Sequence, residues 1–415
     1  VTIDLENADD ITNVDITAGG AGINEFDLTN LNADSTITIT SDNKEELATA
    51  SDFTLEDDDG SSDSLAFVFE GNGSFDQTGS AIDIGEVEEL SIEANMANGV
   101  TFDSTIDALD GNESVLEEIT ISGSDAVTFN AVDLAAGSTA PDELEINASD
   151  AAQLIFTAGT NLIETDGGEL TLTAGGGNDT VDVTQLSDSE AVEVDLGDGN
   201  NTFDAGSMTA SGEAVVTGGG GNDTVTVGAG DDDIDLGGGT NVINVGGGSD
   251  TISFSGDTTV NFAASTDVGA TDGDDTFNGF TPNSNDVIEF TNAAFDATAD
   301  QDTLQEIAAD ATLATDQGVF EISGTEDMTG TDADFMSAGD VANFLSDMDP
   351  QNVNTTDDEG VVIAIDDGSD TALWFLDNDG DASAATSNVE ADDLALIGVL
   401  DGVNNIANGD IDLVT

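Results

Sequence analysis

Histidine, arginine, cysteine and tyrosine are absent from this chain of 415 residues, and Lys44 is its single basic side chain. Each absence removes a class of chemistry. Without cysteine there are no disulfides, no thiolate nucleophiles and few of the usual zinc ligands. Without histidine there is no imidazole acid–base catalysis. Nucleic-acid binding needs lysine and arginine on phosphate, and one lysine cannot supply it. No apolar run is long enough to span a bilayer. No basic, apolar leader opens the chain, and its first residue is Val1. That start predicts processing or a longer precursor.

What is abundant is acid. Ninety aspartates and glutamates give a formal net charge of −89. Such self-repulsion opposes a compact state. Yet 38% of the residues are apolar, and they are patterned rather than scattered, which argues against wholesale disorder. Folding therefore calls for counterions, either as a solvated acidic surface in high salt or as specifically bound divalent cations.

The pattern is clearest from Gly218 to Ser253, where four nine-residue units run head to tail: GGGGNDTVT, VGAGDDDID, LGGGTNVIN and VGGGSDTIS. Each places a glycine-rich turn before Asp or Asn and then a short alternating strand. Val225, Ile234, Ile243 and Ile252 recur every nine positions, with Val227, Leu236, Val245 and Phe254 on the same strand face. Short strands and turns at a fixed period predict a solenoid, in which stacking buries what no unit can bury alone. Two units make a coil, so Asp223 should stack with Asn241 and Asp232 with Asp250. Glycine turns that aim carbonyls one way, together with these carboxylates, form a hard-oxygen cage of the kind calcium prefers.

Looser copies lie upstream at AGGGNDTVD (Ala174 to Asp182) and LGDGNNTFD (Leu196 to Asp204), and downstream at DGDDTFNGF (Asp272 to Phe280). The upstream starts are 22 residues apart, with return strands at Val192 to Val194 and Val215 to Val216. Asp179, Asn201 and Asp223 are expected along one edge, with Asp275 in the same role further on.

These units resemble the G-G-x-G-x-D-x-U-x signature of the RTX (repeats-in-toxin) family, U being a large apolar residue. The resemblance implies a parallel β-roll with calcium between turns, held by backbone carbonyls and by the aspartate of two turns. Carried onto this chain, it implies ligands from Asp179, Asn201, Gly219, Gly221, Asp223, Gly228, Gly230, Asp232, Gly237, Gly239, Asn241, Gly246, Gly248, Asp250 and Asp275. Asn241 departs from the pattern, which makes Asp232/Asp250 the full-strength pair and Asp223/Asn241 the weaker one.

Residues 1–150 carry a strand motif at irregular spacing, in ELSIEANMANGVTF, EITISGSDAVTF and ELEINASDAAQLIF, with starts 29 and then 25 apart. A parallel β-solenoid is expected, with an antiparallel sandwich as the alternative, and the solenoid parts of secreted S-layer proteins are similar. Residues 151–264 read as the calcium β-roll. Residues 265–415 read as an α+β C-terminal cap for secretion and assembly, with helical windows at Leu304 to Leu313 and Ser337 to Met348. Strands follow at Val361 to Ile365, Leu373 to Leu376 and Leu394 to Leu400. Trp374 is read as a core residue. The loop DNDGDAS, with Asp377, Asp379 and Asp381, offers either a further calcium site or a solvated acidic turn.

The whole reads as a mainly β protein, a parallel β-helix or β-roll solenoid with an α+β cap. The expected function is that of a secreted, extracellular structural protein. It would fold with multiple calcium ions and assemble with itself as an S-layer lattice or filament, exported by type I secretion as the resemblance implies. The alternatives are a non-enzymatic adhesin or matrix fragment that binds another surface, such as a cell-surface glycan, and a polysaccharide-acting enzyme. An enzyme is disfavoured because carboxylate pairs occur without the His, Arg or Tyr that would bind an acidic sugar or move a proton. No nucleic acid and no membrane insertion are expected.

Overall fold

The computed structural model describes residues 2–4, 12–17, 27–32, 34–47, 51–55, 63–78, 81–85, 87–103, 105–107, 109–110, 113–134, 140–163, 167–186, 190–263, 275–282, 284–291, 305–307, 319–322, 336–347, 361–366, 369–376, 394–403, 406 and 410–414. The chain divides into two compact units, Val1–Gly221 and Asn222–Thr415. Both are built mainly of parallel, in-register strands, which settles the solenoid against the sandwich.

In the first unit the strands Asn13–Thr17, Ser35–Thr40, Ser64–Gly71, Glu89–Met96, Glu118–Val132, Glu143–Ala158, Glu169–Thr173, Ala191–Asp195 and Glu213–Thr217 stack in chain order, each pairing with the next. A second stack runs through Lys44–Leu47, Ser74–Gln77, Val100–Phe102, the C-terminal halves of Glu118–Val132 and Glu143–Ala158, then Thr180–Asp182 and Thr202–Asp204. A third joins Asp27–Leu31, Ser51–Leu55, Ile82–Asp83 and Ile106–Asp107. Coils in such stacks lie about 4.8 Å apart.

Alternation in the sequence becomes alternation in burial. Ser35–Thr40 and Ser64–Gly71 bury every second residue. Because register is exact from coil to coil, like residues meet: Phe102 pairs with Phe129, and Phe129 with Phe156. Their ring centroids are 5.2 and 6.1 Å apart. Burying each ring contributes roughly 1.5–3 kcal/mol, so this column is a principal source of cohesion. The sequence aligned Glu118 with Glu143, but the structure pairs Glu118 with Glu145, through a strand with three register shifts. A displacement of two residues keeps every apolar side chain facing inward, so hydrophobic pattern alone does not resolve it.

The second unit repeats the arrangement with a shorter coil. Thr224–Thr226 pairs with Thr240–Val245, and Asp233–Asp235 with Thr251–Ser253, each 18 residues on. Thr240–Val245 continues to Asp257–Phe262, then Val287–Thr291 and Ile411–Val414. Thr251–Ser253 continues to Asp275–Asn278 and then Leu394–Asp401. There the pattern changes: Val361–Asp366, Thr371–Leu376 and Leu394–Asp401 pair antiparallel. All six side chains of Thr371–Leu376 are buried, Trp374 among them. A helix at Ala338–Asp347 matches the second helical window and buries Val341. Of the first window, Leu304 to Leu313, only residues 305–307 are among those described. Gln305–Ile307 is a strand pairing in parallel with Val319–Ile322. Leu304 and Ile307 supply one helical turn of spacing, too little to outweigh a parallel strand partner. Among the described residues, no helix is long and apolar enough to cross a membrane.

One feature of the first unit predicts a pH response. Asp83 and Asp107 are register partners on adjacent coils. Asp107 Oδ1 is buried and accepts no hydrogen bond. Burial first, and the charge of Asp83 second, hold the Asp107 carboxyl above the usual carboxylate range. A raised folded-state pKa means that protonation favours the fold. This contribution is complete below the unfolded-state pKa and is lost as pH rises through the folded one. Asp107→Asn is therefore expected to raise the thermal midpoint at neutral pH and to leave it unchanged below pH ~3.5. Midpoints measured across that range check it; a uniform change at every pH contradicts it.

Candidate cation edge

The nine-residue units place their turns in two rows, because alternate units stack on one another. Glycine is required there because adjacent coils touch through backbone. A Cβ on Gly199 would lie 1.6 Å from the Gly177 carbonyl oxygen, and Gly199 has φ +121°. Gly221 stands in the same relation to the Gly199 carbonyl, and Gly246 and Gly248 to those of Gly228 and Gly230. Carbonyl oxygens thus stack in rows from coil to coil. A Cβ on Gly219 would meet the Gly197 carbonyl and Asp198, and the carbonyls of Gly237 and Gly239 stand 2.8 Å from the Cβ position of Gly256.

The sixth residue of each unit points inward, as does Asp275, the fourth residue of the last copy. Asp179, Asn201, Asp223, Asp232, Asn241, Asp250 and Asp275 are all buried, none more than 4% exposed. Their side chains tie coils together. Asn201 Oδ1 accepts the Asp179 N–H at 2.8 Å, and Asp179 Oδ1 accepts the Leu154 N–H at 2.6 Å. In the second unit, Asn241 Oδ1 accepts the Asp223 N–H at 3.0 Å. Asp250 Oδ1 accepts the Asp232 N–H at 3.0 Å, and Asp275 Oδ1 accepts the Asp250 N–H at 2.9 Å. Asp286 Oδ1 adds a rung by accepting the Thr258 N–H at 3.2 Å. Each such bond reaches back from one coil to the backbone of the coil before.

The fifth residue reaches the other way, a role the sequence reading missed. Asn178 Oδ1 accepts the Asn200 N–H, Asn222 Oδ1 the Thr240 N–H, and Asp231 Oδ1 the Ser249 N–H, all at 2.8 Å. These side chains are on the exposed side of the turn. Two crossing bonds thus join consecutive turns where no strand ladder runs. The signal was present as an Asn, Asp or Ser directly before the sixth residue of most units.

The rungs explain why asparagine is accepted at 201 and 241. One acceptor oxygen makes the bond, and an amide has one. They also leave the second carboxylate oxygen in the interior. Asp179 Oδ2 is buried and accepts no hydrogen bond. Burial holds the Asp179 carboxyl above the usual range, partly offset by the N–H groups of Leu154 and Gly175 facing it. No basic side chain reaches this edge, since Lys44 pairs with Asp76 at 2.6 Å. Among the described residues, no three carboxylates group as side-chain metal ligands do. A cation here would draw on turn carbonyls as well as carboxylates. Those donors are all hard oxygens, which suit calcium or magnesium rather than zinc or copper. Asp377, Asp379 and Asp381 lie outside the described residues.

Comparison with known proteins adds no relative: the chain matches no protein-family model, no curated protein and no solved structure.

Proposed function

We propose that this chain is an extracellular structural protein whose turns fill with calcium, so that it folds and assembles only where calcium is plentiful. The observation that carries this reading is the file of buried carboxylates at the turns, set against rows of glycine carbonyls in a chain with one basic side chain. A buried, ionised carboxylate without a cation is costly. A divalent ion between turns would neutralise it and use the carbonyls at once. Asp179, Asp223, Asp232, Asp250 and Asp275 would supply the charge, and the turn glycines the neutral oxygens. The resemblance to repeats-in-toxin units supports the same ion.

Binding to the folded state alone adds RT ln(1 + [L]/Kd) for each site. At the dissociation constants of extracellular modules, about 10⁻⁴ to 10⁻³ M, the cytosol leaves the chain without its ions and the exterior supplies them. Self-association into a lattice or filament follows the same electrostatics, because surfaces this acidic approach one another only through bridging cations. The lack of imidazole, thiol and guanidinium argues for a structural rather than a catalytic role.

Thermal unfolding and particle size measured with calcium, with magnesium and with chelator test this reading. Calcium is expected to raise the midpoint by more than about 10 °C, as several sites add, and to produce sheets or fibres. A chelated protein at low salt that unfolds at the same midpoint and assembles equally well would defeat it.

A further inference from the structure

Asn201 sits among the inward-facing aspartates but solves their problem differently. Its Oδ1 accepts the Asp179 N–H, as a carboxylate would. Its Nδ2 donates to the carbonyls of Leu196 at 3.0 Å and Gly197 at 3.3 Å. The amide therefore places a donor among turn carbonyls, which is where a cation would serve an aspartate. The neighbouring coil shows the contrast. There Asp179 keeps a second oxygen that accepts no hydrogen bond, with the Gly175 N–H facing the carboxylate. In the coil of Asn201 the matching Gly197 N–H is bonded to Asp195 Oδ1 at 3.0 Å. Asp195 is the register partner of Thr173 on one side and Thr217 on the other. Asp195 takes up the Gly197 N–H that the second oxygen of a carboxylate at 201 would use, and that oxygen would instead face the carbonyls of Leu196 and Gly197.

We propose that Asn201 is a cation-independent rung, whose carboxamide replaces a bound ion and, with Asp195, holds its coil closed when calcium is absent. The proposal rests on the calcium reading of the aspartate turns and assigns to this position the opposite behaviour. Calcium would fill the aspartate turns and pass over this one. A chain emptied of calcium would keep a closed turn here, next to turns that have lost their ions.

The test uses the full chain with three variants, each unfolded thermally in chelator and in calcium. Asn201→Asp puts a second oxygen against two carbonyls. In chelator its midpoint is expected to fall by roughly 3–8 °C. Calcium is expected to restore it, with one more ion bound per chain than in the parent. Asn201→Ala removes the acceptor of the rung and is expected to fall in both conditions. Asp195→Thr with Asn201→Asp rebuilds the Thr173/Asp179 arrangement and frees the Gly197 N–H for the carboxylate. It is expected to regain at least half of the loss in chelator. The proposal is overturned if Asn201→Asp matches the parent in chelator, if calcium fails to rescue it, or if the double variant is no better than the single one. A parent indifferent to calcium beside a rescued Asn201→Asp would sink the reading of the native aspartates and leave this one standing.

Discussion

Gly199→Ala is expected to cost more than about 4 kcal/mol, enough to unfold the coils around it. Two effects combine. The φ of +121° is a conformation that L side chains rarely adopt. The new methyl would also lie 1.6 Å from the Gly177 carbonyl oxygen, which belongs to the backbone of the next coil and cannot rotate away. Gly176→Ala is the matched control. Gly176 is exposed, and a Cβ there meets nothing within 4 Å. Its replacement is expected to change stability by no more than about 1 kcal/mol, by restricting the unfolded chain. Denaturant titration of both variants checks this. Similar losses at the two glycines would mean that the turns do not touch through their carbonyls.

Asp250 carries the second large effect, because rung and charge can be separated there. Its N–H donates to Asp275 and its Oδ1 accepts from Asp232. Asp250→Ala leaves the Asp232 N–H buried without that acceptor, at a cost of about 1–3 kcal/mol in chelator, and in calcium it loses the increment of one site as well. Asp250→Asn keeps an oxygen for the rung and removes the charge. In chelator it is expected to equal or exceed the parent. In calcium it is expected to forgo the increment of one site, about 2.7 kcal/mol when calcium is a hundredfold above Kd. Were Asp250→Asn to gain as much from calcium as the parent does, Asp250 would be a rung only.

These two residues also mark how far the sequence could be read. Asp250 stood out because a nine-residue period is rare by chance, and the period fixes which residues stack; Gly199 lay in a looser copy and was not singled out. The pairing of Asp232 with Asp250 and of Asp223 with Asn241 followed from counting. Burial of the sixth residue did not, because an aspartate in a glycine turn reads as exposed. Its inward direction follows from the turn's backbone, which one-letter spacing does not encode. The fifth-position bonds were invisible for a similar reason, since Asn, Asp and Ser in turns normally bond within their own turn. Upstream, the 22-residue and 29-residue spacings matched the register, and only the 25-residue step from Glu118 to Glu143 did not. At Gln305–Ile307 the apolar spacing was too short to tell a helical turn from a strand.

The crossed bonds at the turns bear on how a repetitive chain avoids misthreading. Val225 and Val227 are both buried, so a strand that slides by two residues still presents apolar side chains to the core. Hydrophobic burial scarcely penalises that error. The turn penalises it heavily. A slide of two carries both acceptors away from both N–H groups and strands the inward aspartate. Each coil joined by these crossed bonds therefore carries its own proofreading, written in two adjacent polar residues, and nearly identical neighbours can be told apart one step at a time as the chain winds up.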